Sequence, residues 1–360
     1  MEPFSPEVLD GAGAVIDAIF GAGLSRPVEG EAAQMIEALK ERKIATYAVD
    51  IPSGVDGATG AVRGIAAPAE VTVTFFRKKP GHLLLPGRFL CGTVELADIG
   101  IPAMVLEAIA PKTYENGPGL WLDRYPWPSI DGYKYTRGHA LVLGGEEITG
   151  ASRLAARGAM HAGAGLVTLA APAPVWMIYA ASLTGVMVRR FQGVEEFSAL
   201  LADKRENAIA IGPGAGVGSE TRQYVLAALA TKRAVVLDAD ALTSFAGTSE
   251  LLFRAVAGPC VLTPHEGEFA RLFEFKGDKL ERARRRLRRA TPSCCLKAPI
   301  RSSPLRTGVR SSIRTPRRSS RRAGAVTFSP ALSRGFSLRA SMPSMRLLPR
   351  HGCMVRLPPK

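Results

Sequence analysis

Seven times between Ala14 and Glu268 the chain returns to a short, nearly unbroken apolar run, and six of the seven end at glycine, proline or aspartate. The runs are AVIDAIFGAG (14–23), IATYAVDIPSG (44–54), VTVTFF (71–76), HALVLGG (139–145), AIAIGPGAG (208–216), AVVLDADAL (234–242) and PCVLTPHEGE (259–268). A strand with one face in water alternates apolar and polar residues, so runs without alternation call for burial on both faces, as in a parallel sheet covered by helices. Parallel strands need a long crossover between them. The stretches EGEAAQMIEALKER (29–42) and GASRLAARGAMHAGAG (150–165) are suited to be such crossover helices. The pattern predicts an α/β fold with its glycine turns at the carboxyl ends of the strands, where open α/β sheets bind ligands.

The chain of 360 residues is long enough for about two domains. The polar, proline-spaced stretch GPGLWLDRYPWPSIDGYKYTRG (117–138) has no period and separates two α/β blocks, so the expected boundaries are 1–115 and 116–280. Beyond residue 280 the composition changes. The formal charge is +15, yet residues 281–360 hold 21 of the 47 Lys and Arg and a single acid, Glu281. Residues 1–280 keep 26 basic and 31 acidic residues, a net −5, so the basic character belongs to the tail alone. Such a tail buries too little apolar surface to offset its ordering entropy and is expected to be disordered.

Cys91, Cys260, Cys294, Cys295 and Cys353 show no paired spacing for zinc or for a disulfide framework, which favours a reducing cytoplasm. No apolar run approaches the roughly 18 residues of a membrane span, and MEPFSPEVLDGAG lacks the order of a signal peptide. Neither a membrane nor nucleic acid is expected as a partner.

In DAIFGAGLSRP, Asp17 ends a strand and Gly21, Ala22, Gly23, Leu24, Ser25, Arg26 and Pro27 form a turn of small residues whose amides can approach an anion. A tight turn without a ligand reads equally well from the spacing. AVDIPSGVDG puts Asp50 and Ser53 at another strand end, where a carboxylate and a hydroxyl suit a cation or a proton transfer, or else close an Asx or Ser turn. In the second block the helix opening at TGAS can face a phosphate, and Gly212, Gly214 and Gly216 allow close backbone approach. Asp238 and Asp240 suit either a magnesium-bound phosphate or turn capping, and His265 with Glu266 and Glu268 opens a helix as a structural or a functional group.

Taken in order, DAIFGAGLSRP, VDIPSGVDG, GHALVLGG, TGASRLAARGAMHAGAGLVT, IGPGAG, VLDADAL and LTPHEGEFARL resemble the bifunctional NAD(P)H-hydrate repair enzymes over about residues 8–280. Those fuse an NAD(P)H-hydrate epimerase to an ADP-dependent dehydratase. The resemblance implies a Rossmann-like epimerase domain, truncated, then an incomplete ribokinase-like α/β domain and the basic tail. It implies Asp17 and Ser53 as potassium ligands, Gly21 to Pro27 with Asp50 as contacts to the hydrated dinucleotide, and Asp50 as the proton-exchanging residue. It further implies Ala151, Gly216 and His265 along the hydrate pocket of the second half, with ADP as co-substrate, magnesium, and a homo-oligomeric assembly. The implied chemistry is phosphoryl transfer from ADP to the C6 hydroxyl of the hydrate, then loss of phosphate.

Against the family pattern, about a hundred residues with an NNGGD-like loop are expected before Met1. KGADT-like and GSGD-like turns, the latter carrying an anion hole and an activating aspartate, are expected after His265. Neither of those two turns occurs in the tail. Regrouping each tail codon as the third base of the previous codon plus the first two of its own restores both. KAPIR (297–301) then permits Lys-Gly-Ala-Asp-Thr after its first position, and GAVTFSPALSRGF (324–336) permits Gly-Ser-Gly-Asp-Val-Leu-Ala-Gly. The tail therefore reads as frameshifted around residues 276–290. Two rivals are a basic arm for nucleic acid or acidic lipid, disfavoured by the lack of aromatics beyond Phe328 and Phe336, and a ribokinase-like sugar or vitamin kinase, disfavoured by the fused first block. Resequencing the coding DNA is expected to find an inserted or deleted base upstream of codon 290; an intact frame there would favour the basic arm.

Overall fold

The computed structural model describes residues 4–273, 276–282 and 293–294. The described chain falls into two units, residues 4–116 with 276–282, and residues 117–273 with 293–294. In the first unit β1 (Ala14–Asp17), β2 (Ala45–Val49), β3 (Val71–Phe75) and β4 (Thr93–Ala97) lie side by side in chain order, all parallel. Helix α1 (Gly30–Arg42) makes the first crossover and buries Ile36, Ala38 and Leu39, with Ile36 and Leu39 clustered against Val28 and Ala67. It stops where Lys43 turns left-handed (φ 53°), with Lys40 and Arg42 in the last turn, where cations favour the helix dipole. One face of this sheet, carrying Asp17, Ala48, Thr72 and Thr74, is buried, while the register puts Ile16, Tyr47 and Val73 together on the other, where Ile16 is 73% exposed.

The second unit holds a seven-stranded sheet in the order β11-β10-β9-β8-β5-β6-β7, parallel throughout. Its strands are β5 (His139–Leu143), β6 (Leu166–Pro172), β7 (Met187–Phe191), β8 (Glu206–Ile211), β9 (Ala234–Leu237), β10 (Cys260–Leu262) and β11 (Ser293–Cys294). All five residues of β5 are buried. Leu141 and Leu143 join a core on one face with Ile209, Ile211, Leu237 and Phe197, and Ala140 and Val142 join Val167, Leu169 and Ala210 on the other. Burial on both faces is why these runs carry no alternation. The Thr149–His161 helix meets the second face through Ala155, Ala156 and Ala159, side chains small enough to bring its backbone close to the sheet.

Four strands are not among the seven runs. β4 (TVELA) and β7 (MVRRF) carry charged residues and lie at or near sheet edges, where a strand need not be apolar on both faces. β6 follows the helix through the small residues of HAGAGLVT without a break in composition. β11 lies past residue 280, where the sequence suggests no strand: Val261 pairs with Ser293 and Leu262 with Cys294. The remainder of residues 283–360, on which the expected frameshift and the expected disorder fall, lies outside the described residues.

Glu206 opens β8 completely buried, and neither carboxyl oxygen has a hydrogen-bond partner among the described residues. Arg189 Nη1 stands 3.8 Å from Oε1, and Arg233 Nη1 donates instead to the Glu206 carbonyl at 2.9 Å. Burial therefore pushes the carboxyl up to about 7, against the pull of the nearby arginines. Between the ordinary glutamate value of about 4.3 and about 7, the folded state keeps a proton that the unfolded chain has lost. Stability conferred by this group falls as pH rises through that window. Urea unfolding from pH 4.5 to 8 should show this slope, and Glu206→Gln should flatten it and stabilise the protein at pH 8 by on the order of 1–3 kcal/mol. Equal slopes in the two proteins would show that Glu206 does not titrate there.

Candidate active site

In the first unit the loops after β1, β2 and β3 meet at Asp50, which follows β2 in a left-handed conformation (φ 66°). Aspartate is among the few residues that tolerate this region, and the surroundings hold it there. Its N–H donates to Val73 O at 2.7 Å and its Oδ2 accepts from Ala22 N at 3.0 Å. Its Oδ1 accepts from Thr74 Oγ1 at 2.9 Å and from Lys79 Nζ at 2.5 Å. Burial pushes the Asp50 carboxyl up, but the hydrogen bonds from Lys79, Ala22 and Thr74 together with the Lys79 charge outweigh it and hold it below the ordinary aspartate value. The carboxylate is thus ionised, partly exposed and beside a cation. Lys79, Thr74 and His82, which contacts the backbone of Asp50 and Lys79, carry no signal in spacing; they are found only when β3 is laid beside β2.

The structure brings the sequence-predicted residues of this half together. Gly21 sits so close to Asp50 that a Cβ there would lie 3.3 Å from Oδ2, and the turn continues with Leu24 N donating to Gly21 O at 3.2 Å. Gly23, Ser25, Arg26 and Pro27 are exposed, whereas Leu24 packs on the cluster with Val28, Ile36 and Leu39. Asp17 is buried, with Oδ2 accepting from Ser53 N at 2.7 Å and Oδ1 from Ser53 Oγ at 2.5 Å. Ser53 Oγ in turn accepts from Phe20 N at 2.9 Å and stands 3.5 Å from Phe20 O. The carboxylate, the hydroxyl and the carbonyl form an oxygen-only donor set, the chemistry a hard cation needs, and the same bonds stitch β1 to the loop after β2. That loop is packed main chain to main chain: a Cβ on Gly54 (φ +91°) would lie 1.7 Å from Ile65 O. Only glycine fits there.

In the second unit the carboxyl ends of β5, β8, β9 and β10 carry the other predicted residues. Gly212 (φ +131°) is where the loops after β8 and β9 touch, since a Cβ on it would lie 1.7 Å from Asp238 O. Its close approach is to protein, whereas Gly216 is exposed and open. Gly216 N donates to Asp240 Oδ2 at 3.0 Å, so Asp240 braces the glycine loop, and Asp238 is fully buried at the end of β9. Ala151 sits in the first turn of the Thr149–His161 helix. Tyr179, unmarked in the sequence by any motif, ties that helix to the strand end: its hydroxyl donates to Gly145 O at 2.7 Å and lies 2.9 Å from Ser152 Oγ.

His265 caps the Glu266–Leu272 helix. Its Nδ1 accepts from Gly267 N at 2.9 Å and Glu268 N at 3.2 Å, while its own N–H donates to Glu268 Oε2 at 2.8 Å. This is a capping box with an imidazole in the usual serine position. Nε2 is left on the exposed side, 3.2 Å from Glu268 Oε1. Among the described residues no group of three or more His, Cys, Asp or Glu is placed to hold a metal ion, and no helix is long and apolar enough to cross a membrane.

Comparison with known proteins matches both units. The family model described as YjeF-related protein N-terminus matches residues 2–81, and that described as NAD(P)H-hydrate dehydratase matches residues 140–297. The bifunctional NAD(P)H-hydrate repair enzyme of Salinibacter ruber is 34% identical over 325 residues, which cover 84% of this chain and 59% of that protein. Its counterpart in Thermofilum pendens is 35% identical over 272 residues, covering 72% of this chain and 50% of that one. Among solved structures, the ADP/ATP-dependent NAD(P)H-hydrate dehydratase of Bacillus subtilis, co-crystallised with ATP and Mg2+, is 28% identical with a TM-score of 0.41, covering 48% of this chain and 62% of that one. The chain thus spans between half and three fifths of the length of these two curated relatives. Matched in both units and in the same order, it belongs to the family of the bifunctional NAD(P)H-hydrate repair enzymes.

Proposed function

We propose that the chain descends from a nicotinamide-nucleotide repair enzyme with two reactions. The first unit would interconvert the R and S forms of NAD(P)H-hydrate, and the second would dehydrate the S form to NAD(P)H at the expense of ADP, releasing AMP and phosphate. The observation that carries this reading is the convergence, in the first unit, of Asp50, Lys79 and the Gly21–Pro27 turn at the carboxyl ends of parallel strands. A carboxylate and an ammonium side by side can give a proton to the C6 hydroxyl as it leaves as water, pushed out by the ring nitrogen, and take one back from the water that adds on the opposite face of the ring. Exposed turn amides and Arg26 suit the charged phosphates of a dinucleotide.

Asp17 and Ser53 would hold potassium, whose charge when bound would offset that of the substrate phosphates beside the turn. In the second unit Ala151, Gly216 and the Nε2 side of His265 would line the hydrate pocket, with ADP and magnesium bound alongside. Phosphate is a far better leaving group than hydroxide, which gives the nucleotide its purpose. The substrates are small molecules, and we read the intact protein as a cytoplasmic homo-oligomer that engages neither nucleic acid nor membrane.

The chain as it stands would be nearly inactive in the dehydration. Gly-Ser-Gly-Asp occurs nowhere in its 360 residues, and with it go the anion-hole amides and the aspartate that would take the hydroxyl proton. Loss of a positioned general base costs typically about 10²–10⁴-fold. With NADH hydrate, ADP, magnesium and potassium, the return of reduced-nicotinamide absorbance should be at least about 100-fold slower than with a frame-repaired version. Equal rates would sink this reading. In the repaired protein His265→Ala should cost about 1 kcal/mol of stability through the lost cap, and His265→Asp should keep the cap while still losing turnover. Full turnover in His265→Asp would leave His265 a cap and nothing more.

A further inference from the structure

His82 is 1% exposed and uses both ring nitrogens on main-chain groups of the two residues whose side chains form the Asp50–Lys79 pair. Lys79 N donates to Nδ1 at 2.9 Å, and Nε2 lies 2.7 Å from Asp50 O. Because Nδ1 faces an N–H it must accept, so the neutral ring carries its proton on Nε2 and donates it to the Asp50 carbonyl. His82 itself is placed by the short turn Pro80–His82, whose Gly81 N donates to Gly57 O at 2.8 Å. The ring therefore spans from the residue after β2 to the segment after β3. A leucine would fill this position without the two bonds; nothing about packing requires polar atoms there.

We propose that His82 is a positioning residue of the first site, a neutral imidazole strut that fixes the backbones of Asp50 and Lys79 so that carboxylate and ammonium meet in front of the Gly21–Pro27 turn. The proposal rests on the reading of Asp50 as the proton-exchanging residue. Asp50 holds a left-handed conformation that an unsupported aspartate leaves readily, and the bond to its carbonyl is one of the few that hold it. Protonating His82 would set an Nδ1–H against the Lys79 N–H and break the strut. The groups facing the ring are Lys79 and Lys78, which resist its protonation, and Asp50, which favours it; burial, the largest influence, holds the imidazole below its ordinary range. As pH falls through the ordinary imidazole value of about 6.5, the unfolded chain takes a proton that the folded ring refuses, so stability is lost on the acid side.

Long-range proton–nitrogen spectra of the full-length, 15N-histidine-labelled chain should show His82 as the Nε2–H tautomer, still neutral where a free imidazole titrates, about pH 6.5. A ring with its proton on Nδ1, or one that titrates like a free imidazole, would overturn the strut. Titration of Asp50 followed at its side-chain carboxyl carbon then reads its consequence. His82→Leu should move the Asp50 midpoint up by about half a unit or more as the Lys79 pair loosens, and His82→Gln, which keeps one donor and one acceptor, should return most of that shift. An unmoved midpoint in folded His82→Leu would reduce His82 to packing. If His82→Leu does not fold, the wild-type tautomer and His82→Gln decide the matter. None of these measurements needs substrate. Epimerisation by the first unit that survives Asp50→Asn would remove the assignment of Asp50 while leaving the titration result standing, so the two failures are told apart.

Discussion

A parallel pair of strands cannot close through a tight turn, so every pairing from β1 to β4 and from β5 to β11 sends the chain back along the sheet before the next strand begins. All the strand ends of a unit therefore point one way, and the loops that follow them share one rim. Asp50 meets Ala22, Thr74 and Lys79 across distances of 24 to 29 residues in sequence because β1, β2 and β3 end together. Gly216 meets Asp240 for the same reason at the ends of β8 and β9. Neither meeting depends on a special motif; each is a geometric result of parallel pairing.

What could be read from the chain follows the same logic. Burial on both faces writes itself into a strand as an unbroken apolar run, so β5, β8 and β9 are visible in one dimension, and the glycines and aspartates after them mark the rim. β4 and β7 are not visible, because a strand at an edge is free to carry Glu95 or Arg189 and Arg190. At the sites, Asp17, Asp50, Ser53 and His265 stand out because their residue types are unusual at a strand end. Lys79, Thr74, His82 and Tyr179 do not, since a lysine after a strand or a tyrosine in a helix is commonplace, and their importance comes from which strand lies alongside. Glycine misleads in a different way. Gly212 and Gly216 look alike in IGPGAG, yet the first is pressed against Asp238 O and the second faces open space.

Several polar groups serve the fold and the site with the same bonds. Asp17 and Ser53 join β1 to the loop after β2 through bonds whose oxygens also suit a cation. His265 starts a helix with one ring nitrogen and shows the other to its exposed side. Asp240 holds the Gly216 loop with the carboxyl oxygen that a sequence reading offers to a ligand. Such sharing removes much of the disorder a ligand would otherwise have to suppress, because the groups are already in place. It also means that loss of function on substitution is poor evidence of contact with substrate unless stability is followed alongside.

Gly54 and Gly212 show where both rims get their shape: at each, main chain lies directly on main chain, with no room for a single added carbon. A pocket walled by side chains can be resculpted one methyl group at a time. A pocket walled by backbone offers no such increments, since the smallest available step, glycine to alanine, runs into a carbonyl oxygen 1.7 Å away at both positions. Drift in specificity is then confined to the few places where a side chain can be added into open space, such as Gly23, or to exchange of whole loops. Architecture of this kind is slow to acquire new substrates and slow to lose the outline of the old one.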